Sequence, residues 1–159
     1  MTAPRFVVDA MLGRLARWLR AMGYDTLYLG QAGDRRLLQL ALTEERILVT
    51  RDRRLARLAH PTGCLIHSER LDDQIAEAVA ALTLAPDEAE WLSRCLECNG
   101  RLEPRERARL EGIVPEHVFA AHQDFMGCPD CGKIYWPGTH ADQMLARLGR
   151  LLGRGGAGG

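Results

Sequence analysis

Short apolar runs alternate with segments of helical periodicity through the first half of this chain, and this alternation limits the fold more than any other feature. The predicted strands are 5–8, 26–29, 47–50 and 64–66. The predicted helices are 10–22, 34–45, 52–59 and 72–82. Strands that are separated by helices form parallel sheets with helices packed on both faces. We therefore predict an α/β domain over residues 1–84, with three α/β/α layers and a mostly parallel sheet.

Acidic residues stand where three of these strands end. Asp9 directly follows the first strand. Asp34 begins the helix after the second strand, and Asp52 follows the third. The carboxyl ends of parallel strands form the binding crevice of an open α/β sheet. Carboxylates gathered there repel one another, and their oxygens suit Mg²⁺ or Mn²⁺. We therefore predict a catalytic metal site at these three residues, where a bound ion would promote phosphoryl displacement.

These acids also have a plainer interpretation as helix caps. Asp34 and Asp52 precede helices, where aspartate is a common N-cap. Asp9 is harder to explain in this way, because it ends a buried strand and a buried charge needs a partner or a metal. Asp72 and Asp73 precede another predicted helix and are interpreted as caps. The alternative is that one of these two residues supplies a fourth acid to the metal site.

Arginines near the acids offer contacts to an anionic substrate. Arg14, Arg17 and Arg51 are the candidates for binding its phosphate, because guanidinium groups donate paired hydrogen bonds to phosphate oxygens. The arginines of the first helix can also be interpreted as its solvated face. The chain has 21 basic and 21 acidic residues, so bulk positive charge does not explain nucleic-acid binding. The sole lysine is Lys133, which excludes phosphoacceptor chemistry that needs a lysine near the acids.

Four of the five cysteines form two C-x-x-C pairs. They are Cys95, Cys98, Cys128 and Cys131. Four thiolates with this spacing are typical of a closed, tetrahedral zinc site with a structural role. We predict a small zinc ribbon over residues 88–140. The fifth cysteine, Cys64, lies in an apolar run and is predicted to be a buried strand residue.

The remaining segments complete the predicted organisation. Residues 141–152 are predicted to form a closing helix, and 153–159 a disordered Gly-rich tail. Residues 85–140 carry six basic residues against ten acids, so the ribbon is expected to brace the fold or to contact a protein partner. No apolar run is long enough to span a membrane, and no signal-peptide pattern is present. A cytoplasmic location without membrane contact is expected.

Together these segments resemble the Mut7-C family, in which a PIN-like ribonuclease domain is joined to a C-terminal zinc ribbon. Besides the four cysteines, the resemblance rests on residues 6–20, 23–26, 48–52 and 134–140. It implies a PIN-like sheet and metal-dependent ribonuclease activity. It also implies that Asp9, Asp52 and, by position, Asp34 are the acids of the nuclease site.

The expected function is thus Mg²⁺- or Mn²⁺-dependent hydrolysis of phosphodiester bonds in single-stranded or structured RNA. The main alternative is a non-catalytic RNA- or ribosome-associated binding module with the same fold. A third interpretation is a protein-interaction adaptor that uses the acidic ribbon. Cutting of RNA after addition of Mn²⁺ distinguishes the first of these from the other two.

Overall fold

Four short strands form one parallel sheet in the computed structural model, which describes residues 2–153. They are β1 (Phe6–Val8), β2 (Thr26–Tyr28), β3 (Ile47–Thr50) and β4 (Gly63–Leu65). The strand order is β2-β1-β3-β4, and every neighbouring pair is parallel. Each predicted strand is confirmed to within one residue at either end.

Four helices connect and cover these strands. They are α1 (Gly13–Ala21), α2 (Asp34–Thr43), α3 (Arg53–Leu58) and α4 (Leu71–Ala81). The helix predicted over 10–22 is divided, because residues Ala10–Leu12 form a 3-10 turn before α1 begins. Gly23 then ends this segment with a φ of 97°, a conformation that glycine adopts without steric cost. The predicted order of strands and helices is confirmed.

Side chains of the central strand β1 point alternately to two separate cores. Phe6 and Val8 pack on one face, in the cluster that contains Leu19 of α1 and Ile75 of α4. Val7 packs on the opposite face, in the cluster formed mainly by α2 and α3. A parallel sheet buried on both faces explains why its strands are continuous apolar runs. The predicted three-layer α/β/α class is therefore confirmed.

The cysteine-containing segment forms a second, smaller sheet. Its strands are β5 (Glu103–Arg105), β6 (Phe125–Gly127) and β7 (Ile134–Tyr135), paired antiparallel in that order. Helix α5 (Glu116–Ala121) precedes β6. A small cluster of Leu110, Val114, Val118 and Phe125 supports this sheet.

The closing helix α6 (Thr139–Leu151) returns to the parallel sheet. Its Met144 and Leu148 are buried in the same core as α1 and α4, and Leu96 of the cysteine segment joins them there. The division into separate domains stays a prediction. The predicted Gly-rich tail lies, from residue 154 onward, outside the described residues. Within residues 2–153, no helix is long and apolar enough to cross a membrane.

Candidate functional site

Asp9 and Asp52 meet at the hydroxyl group of Thr50. Strands β1 and β3 pair with Val8 opposite Val49, so Asp9 and Thr50 emerge together at the carboxyl edge of the sheet. Thr50 Oγ1 donates a 2.8 Å hydrogen bond to Asp9 Oδ2 and accepts one of 2.9 Å from the Asp52 backbone N–H. The structure thus connects two of the three predicted acids through one fully buried threonine. Sequence analysis did not identify Thr50 as part of this site.

Both aspartates also cap the helical segments that follow them. Asp9 Oδ1 accepts a 2.7 Å hydrogen bond from Ala10 N–H. Asp52 Oδ1 accepts hydrogen bonds of 2.8 and 3.2 Å from the N–H groups of Arg54 and Leu55. The interpretation of Asp52 as an N-cap is therefore confirmed. In the described part of the chain, the other Asp52 oxygen, Oδ2, makes no hydrogen bond and remains accessible to a ligand.

The third predicted acid, Asp34, lies at the start of a helix. It is exposed and is the first residue of α2, whose N-cap is Gly33. The interpretation of Asp34 as a cap is therefore wrong. Over residues 2–153, only the four C-x-x-C cysteines bring three or more His, Cys, Asp or Glu ligand atoms within 4.8 Å of one another. The assignment of Asp9, Asp34 and Asp52 as one metal site stays a prediction.

The candidate phosphate-binding arginines lie in different environments. Arg14 is exposed. Arg17 donates a 2.6 Å hydrogen bond to Glu97 of the cysteine segment. Arg51 lies 3.9 Å from Glu69, and its Nε is buried without a hydrogen-bond partner. Of these three, Arg51 has an unused buried donor beside the Asp9–Asp52 pair.

One arginine of α1 does not belong to a solvated face. Arg20 is buried and donates to the carbonyl oxygens of Thr26 at 2.9 Å and Leu96 at 3.0 Å. It joins β2 to the cysteine segment, so the solvated-face interpretation is wrong for this residue. Its position on the helix did not reveal this, because the two acceptors come from other elements.

A histidine held by a glutamate follows β4 at the same edge of the sheet. Glu77 accepts hydrogen bonds from the N–H groups of His67 at 2.7 Å and Ser68 at 2.9 Å, and its Oε1 lies 3.0 Å from His67 Nδ1. Burial tends to raise the pKa of Glu77, but these hydrogen bonds outweigh it and lower the pKa to about 2. His67 was not among the site residues predicted from the sequence. The available signal was its place just after a strand, as for Asp9 and Asp52.

The four C-x-x-C cysteines converge into a second site. Their Sγ atoms all lie within 4.8 Å of one another. Cys95 Sγ is 3.6 Å from Cys131 Sγ, and Cys98 Sγ is 3.3 Å from Cys128 Sγ. A tetrahedral site with Zn–S bonds of about 2.3 Å needs sulfur atoms about 3.8 Å apart, so this donor set fits zinc closely. The four-cysteine cluster can hold a metal such as zinc.

Two equivalent backbone turns shape this cluster. The N–H of Asn99 donates to the carbonyl of Cys95, and the N–H of Gly132 donates to that of Cys128, both at 2.9 Å. Asn99 and Gly132 have φ values of 77° and 79°. A Cβ at Gly100 would lie 2.8 Å from Cys128 Sγ, so glycine is required there. Both C-x-x-C pairs thus have the tight backbone turn of a zinc knuckle.

Tyr135 supports the cluster from outside. Its hydroxyl lies 3.1 Å from Cys95 Sγ and accepts a 3.1 Å hydrogen bond from Leu96 N–H, so it donates to the sulfur. Burial tends to raise the pKa of Cys95, but this donor and the nearby N–H groups lower it to about 7. Cys95 is therefore prepared to act as a thiolate ligand.

The fold and the sites define a parallel α/β sheet with acids at its carboxyl edge and a cluster of four cysteines that can hold a metal. The family model described as Mut7-C RNAse domain matches residues 4–148. The chain therefore belongs to the Mut7-C RNAse domain family, which indicates a ribonuclease-like function and RNA as substrate. Neither the search of curated proteins nor the search of solved structures finds a match.

Proposed function

We propose that this protein is a ribonuclease that uses Mg²⁺ or Mn²⁺ to hydrolyse RNA phosphodiester bonds at Asp9, Asp34 and Asp52. The observation that carries the proposal is the Thr50 hydroxyl, which donates to the Asp9 carboxylate and accepts from the Asp52 backbone N–H at the carboxyl edge of a parallel sheet. This edge is where open α/β sheets bind their ligands.

The donor set suits a hard divalent cation. Each Asp9 oxygen accepts one hydrogen bond and keeps a second lone pair for a metal, and Asp52 Oδ2 is free among the described residues. Asp34 offers an exposed carboxylate after β2, the strand next to β1. Mg²⁺ binds through few carboxylates and keeps several waters. When bound, the ion supplies Lewis-acid stabilisation of the phosphate and activates water.

The residues of the chain orient this chemistry. Thr50 fixes the Asp9 carboxylate by donating to one oxygen, while Ala10 N–H holds the other. Arg51, which precedes Asp52, is half-buried, and its Nε–H has no hydrogen-bond partner among the described residues, so we assign its guanidinium group to the substrate phosphate. A guanidinium group at this point offsets the repulsion between the acids and the RNA backbone. Arg14 is an exposed second candidate for the same role.

Replacement of single acids tests the proposal. D9N and D52N should reduce Mn²⁺-dependent cleavage of single-stranded RNA by about 100-fold or more, because a metal site supplies several kcal/mol of transition-state stabilisation. The melting temperature of D52N should equal or exceed that of the parent, because carboxylate repulsion is removed. Asparagine also retains the cap at residue 52. D73N, at an exposed aspartate in the first turn of α4, is the matched control and should cut normally.

The outcomes separate the enzyme from the binding module. Cleavage by D9N and D52N at the rate of the parent would show that the site assignment is wrong. Binding of RNA without products, across a full Mn²⁺ titration of the parent, would favour the non-catalytic module. Loss of cleavage in D34N as well would support Asp34 as the third ligand.

A further inference from the structure

A groove runs from the acidic edge of the sheet across α3 and β4. It consists of two adjoining cavities, of about 400 and 640 Å³. Arg53, Leu65 and His67 line both of them. We call it the β4 groove and define it by Met11, Arg51, Arg53, Arg57, Leu65 and His67. Because Arg51 and Arg53 flank Asp52 in sequence, the groove begins beside the proposed cleavage site.

The β4 groove is positively charged. Arg51, Arg53 and Arg57 line its cavities together with two histidines, and no carboxylate lines either cavity among the described residues. Arg53 and Arg57 lie one helical turn apart on the same side of α3. Neither has an ion-pair partner within residues 2–153. This contrasts with Arg17 and Arg147, whose carboxylate partners are Glu97 and Asp72.

The two carboxylates that contact residues of the groove, Glu69 and Glu77, do not neutralise its positive charge. Glu69 lies 3.9 Å from Arg51, but its side chain is 86% exposed and free to move aside. Glu77 is bound by two backbone N–H groups and by His67 Nδ1, on the side of the ring away from Nε2. This leaves Nε2 of His67 available to a ligand. The unpaired guanidinium groups therefore provide several donors for phosphate oxygens, and His67 Nε2 adds a further donor when both ring nitrogens carry a proton.

Apolar side chains lie between these donors. Half-buried Leu65 lines the cavity nearest to the acids, and Met11 in the same cavity is 68% exposed. Phosphate alone gains nothing from such a surface, whereas an unstacked base does. In a duplex the bases are paired inside the helix and do not reach a surface of this kind. The combination therefore fits a single strand.

We propose that the β4 groove binds a single RNA strand, with Arg53, Arg57 and His67 contacting successive phosphates and with bases against Met11 and Leu65. Its role in guiding the strand to the acids rests on the proposed ribonuclease function. Binding of RNA to the groove does not depend on that function and can be measured without cleavage.

The salt dependence of binding tests the number of phosphate contacts. Zinc-loaded protein is titrated with a fluorescent single-stranded RNA of about twelve nucleotides, in buffer without added Mg²⁺ or Mn²⁺, and anisotropy is followed over a range of salt. R53Q/R57Q should weaken binding about tenfold or more at low salt. It should also reduce the slope of log K against log salt by about 1.4, which is about 0.7 for each lost contact.

A variant with the same change of net charge serves as control. R101Q/R109Q removes two exposed arginines of the cysteine segment, far from α3 in sequence. It should keep the parental slope. A duplex of the same length should bind the parent more weakly than the single strand. H67Q should also weaken single-strand binding while leaving the far-UV spectrum unchanged.

The outcomes test RNA binding by the β4 groove and ribonuclease activity separately. Three results would overturn the proposal that the β4 groove binds single-stranded RNA. They are equal salt slopes for R53Q/R57Q and R101Q/R109Q, tighter binding of the duplex than of the single strand, and no binding of single-stranded RNA by the parent. Groove-dependent binding without any Mn²⁺-dependent cutting would refute the ribonuclease proposal alone. If R53Q/R57Q cuts and binds RNA like the parent, the proposed role of the β4 groove is refuted and the ribonuclease proposal stands.

Discussion

The side-chain amide of Asn99 donates a 2.8 Å hydrogen bond to Asp25 and thereby joins the first cysteine knuckle to the parallel sheet. Its oxygen accepts a second hydrogen bond, also of 2.8 Å, from the buried N–H of Thr26 at the edge strand β2. Asp25 also accepts from Arg46 at 2.8 Å. Burial tends to raise the pKa of Asp25, but the donors Arg46 and Asn99 hold it below its ordinary value.

Removal of the Asn99 side chain should loosen this junction. N99G is suitable because glycine accepts the φ of 77° at this position without strain. It leaves the Thr26 N–H unsatisfied, so the free energy of unfolding should fall by about 2 kcal/mol. Urea denaturation of zinc-loaded protein measures this, with zinc content as the control. A loss below about 0.5 kcal/mol would mean that water replaces the amide.

The Thr50 hydroxyl should matter for activity through its hold on Asp9. T50V keeps the volume of the side chain but loses the donor to Asp9 and the acceptor for Asp52 N–H. If the proposed function holds, kcat/KM for RNA should fall about 10- to 100-fold, because small displacements of catalytic groups are costly. T50S retains the hydroxyl and should stay near the parent. Equal activity of both variants would exclude a positioning role for Thr50.

Tyr135 should strengthen metal binding at the cysteine site. Y135F removes the hydroxyl that donates to Cys95 Sγ and accepts from Leu96 N–H. Zinc affinity should fall about 10- to 100-fold, as for other partners of metal ligands. Competition with a chelator measures the affinity. The matched control is W136F, at an aromatic residue that packs against Phe125 rather than a cysteine. An unchanged zinc affinity in Y135F would show that the hydroxyl only packs the fold.

Glu77 should stabilise the fold in a pH-dependent way. Its pKa of about 2 in the folded protein is below its ordinary value of 4.5, so its contribution is complete above pH 4.5 and is lost as the pH falls toward 2. E77Q should lower the free energy of unfolding by about 1–2 kcal/mol at pH 7. The difference between parent and E77Q should shrink below pH 4.5. Denaturation of both proteins at pH 7, 5 and 3 measures it, and a constant difference would contradict the assignment.

Local patterns were sufficient to predict the elements of the parallel sheet. Ile47–Thr50 is an apolar run of strand length, and its bounds match the prediction. Cys64 lies in β4 and is buried, as expected. The caps were less predictable. Asp72 and Asp73 lie inside the first turn of α4, after the N-cap Arg70, so their interpretation as caps is wrong. Asp72 instead pairs with Arg147 of α6, a residue 75 positions away that no local pattern connects to it.

The sequence by itself determined the fold class and the cysteine ligands, because hydrophobic periodicity and C-x-x-C spacing are properties of neighbouring residues. Only the tertiary structure decided which groups meet. The register of β1 against β3 brings Thr50 to Asp9, and the packing of the cysteine segment buries Arg20 and pairs Arg17 with Glu97. These contacts join positions 41, 76 and 80 residues apart in the chain. Their geometry depends on how whole elements pack, which local composition does not encode.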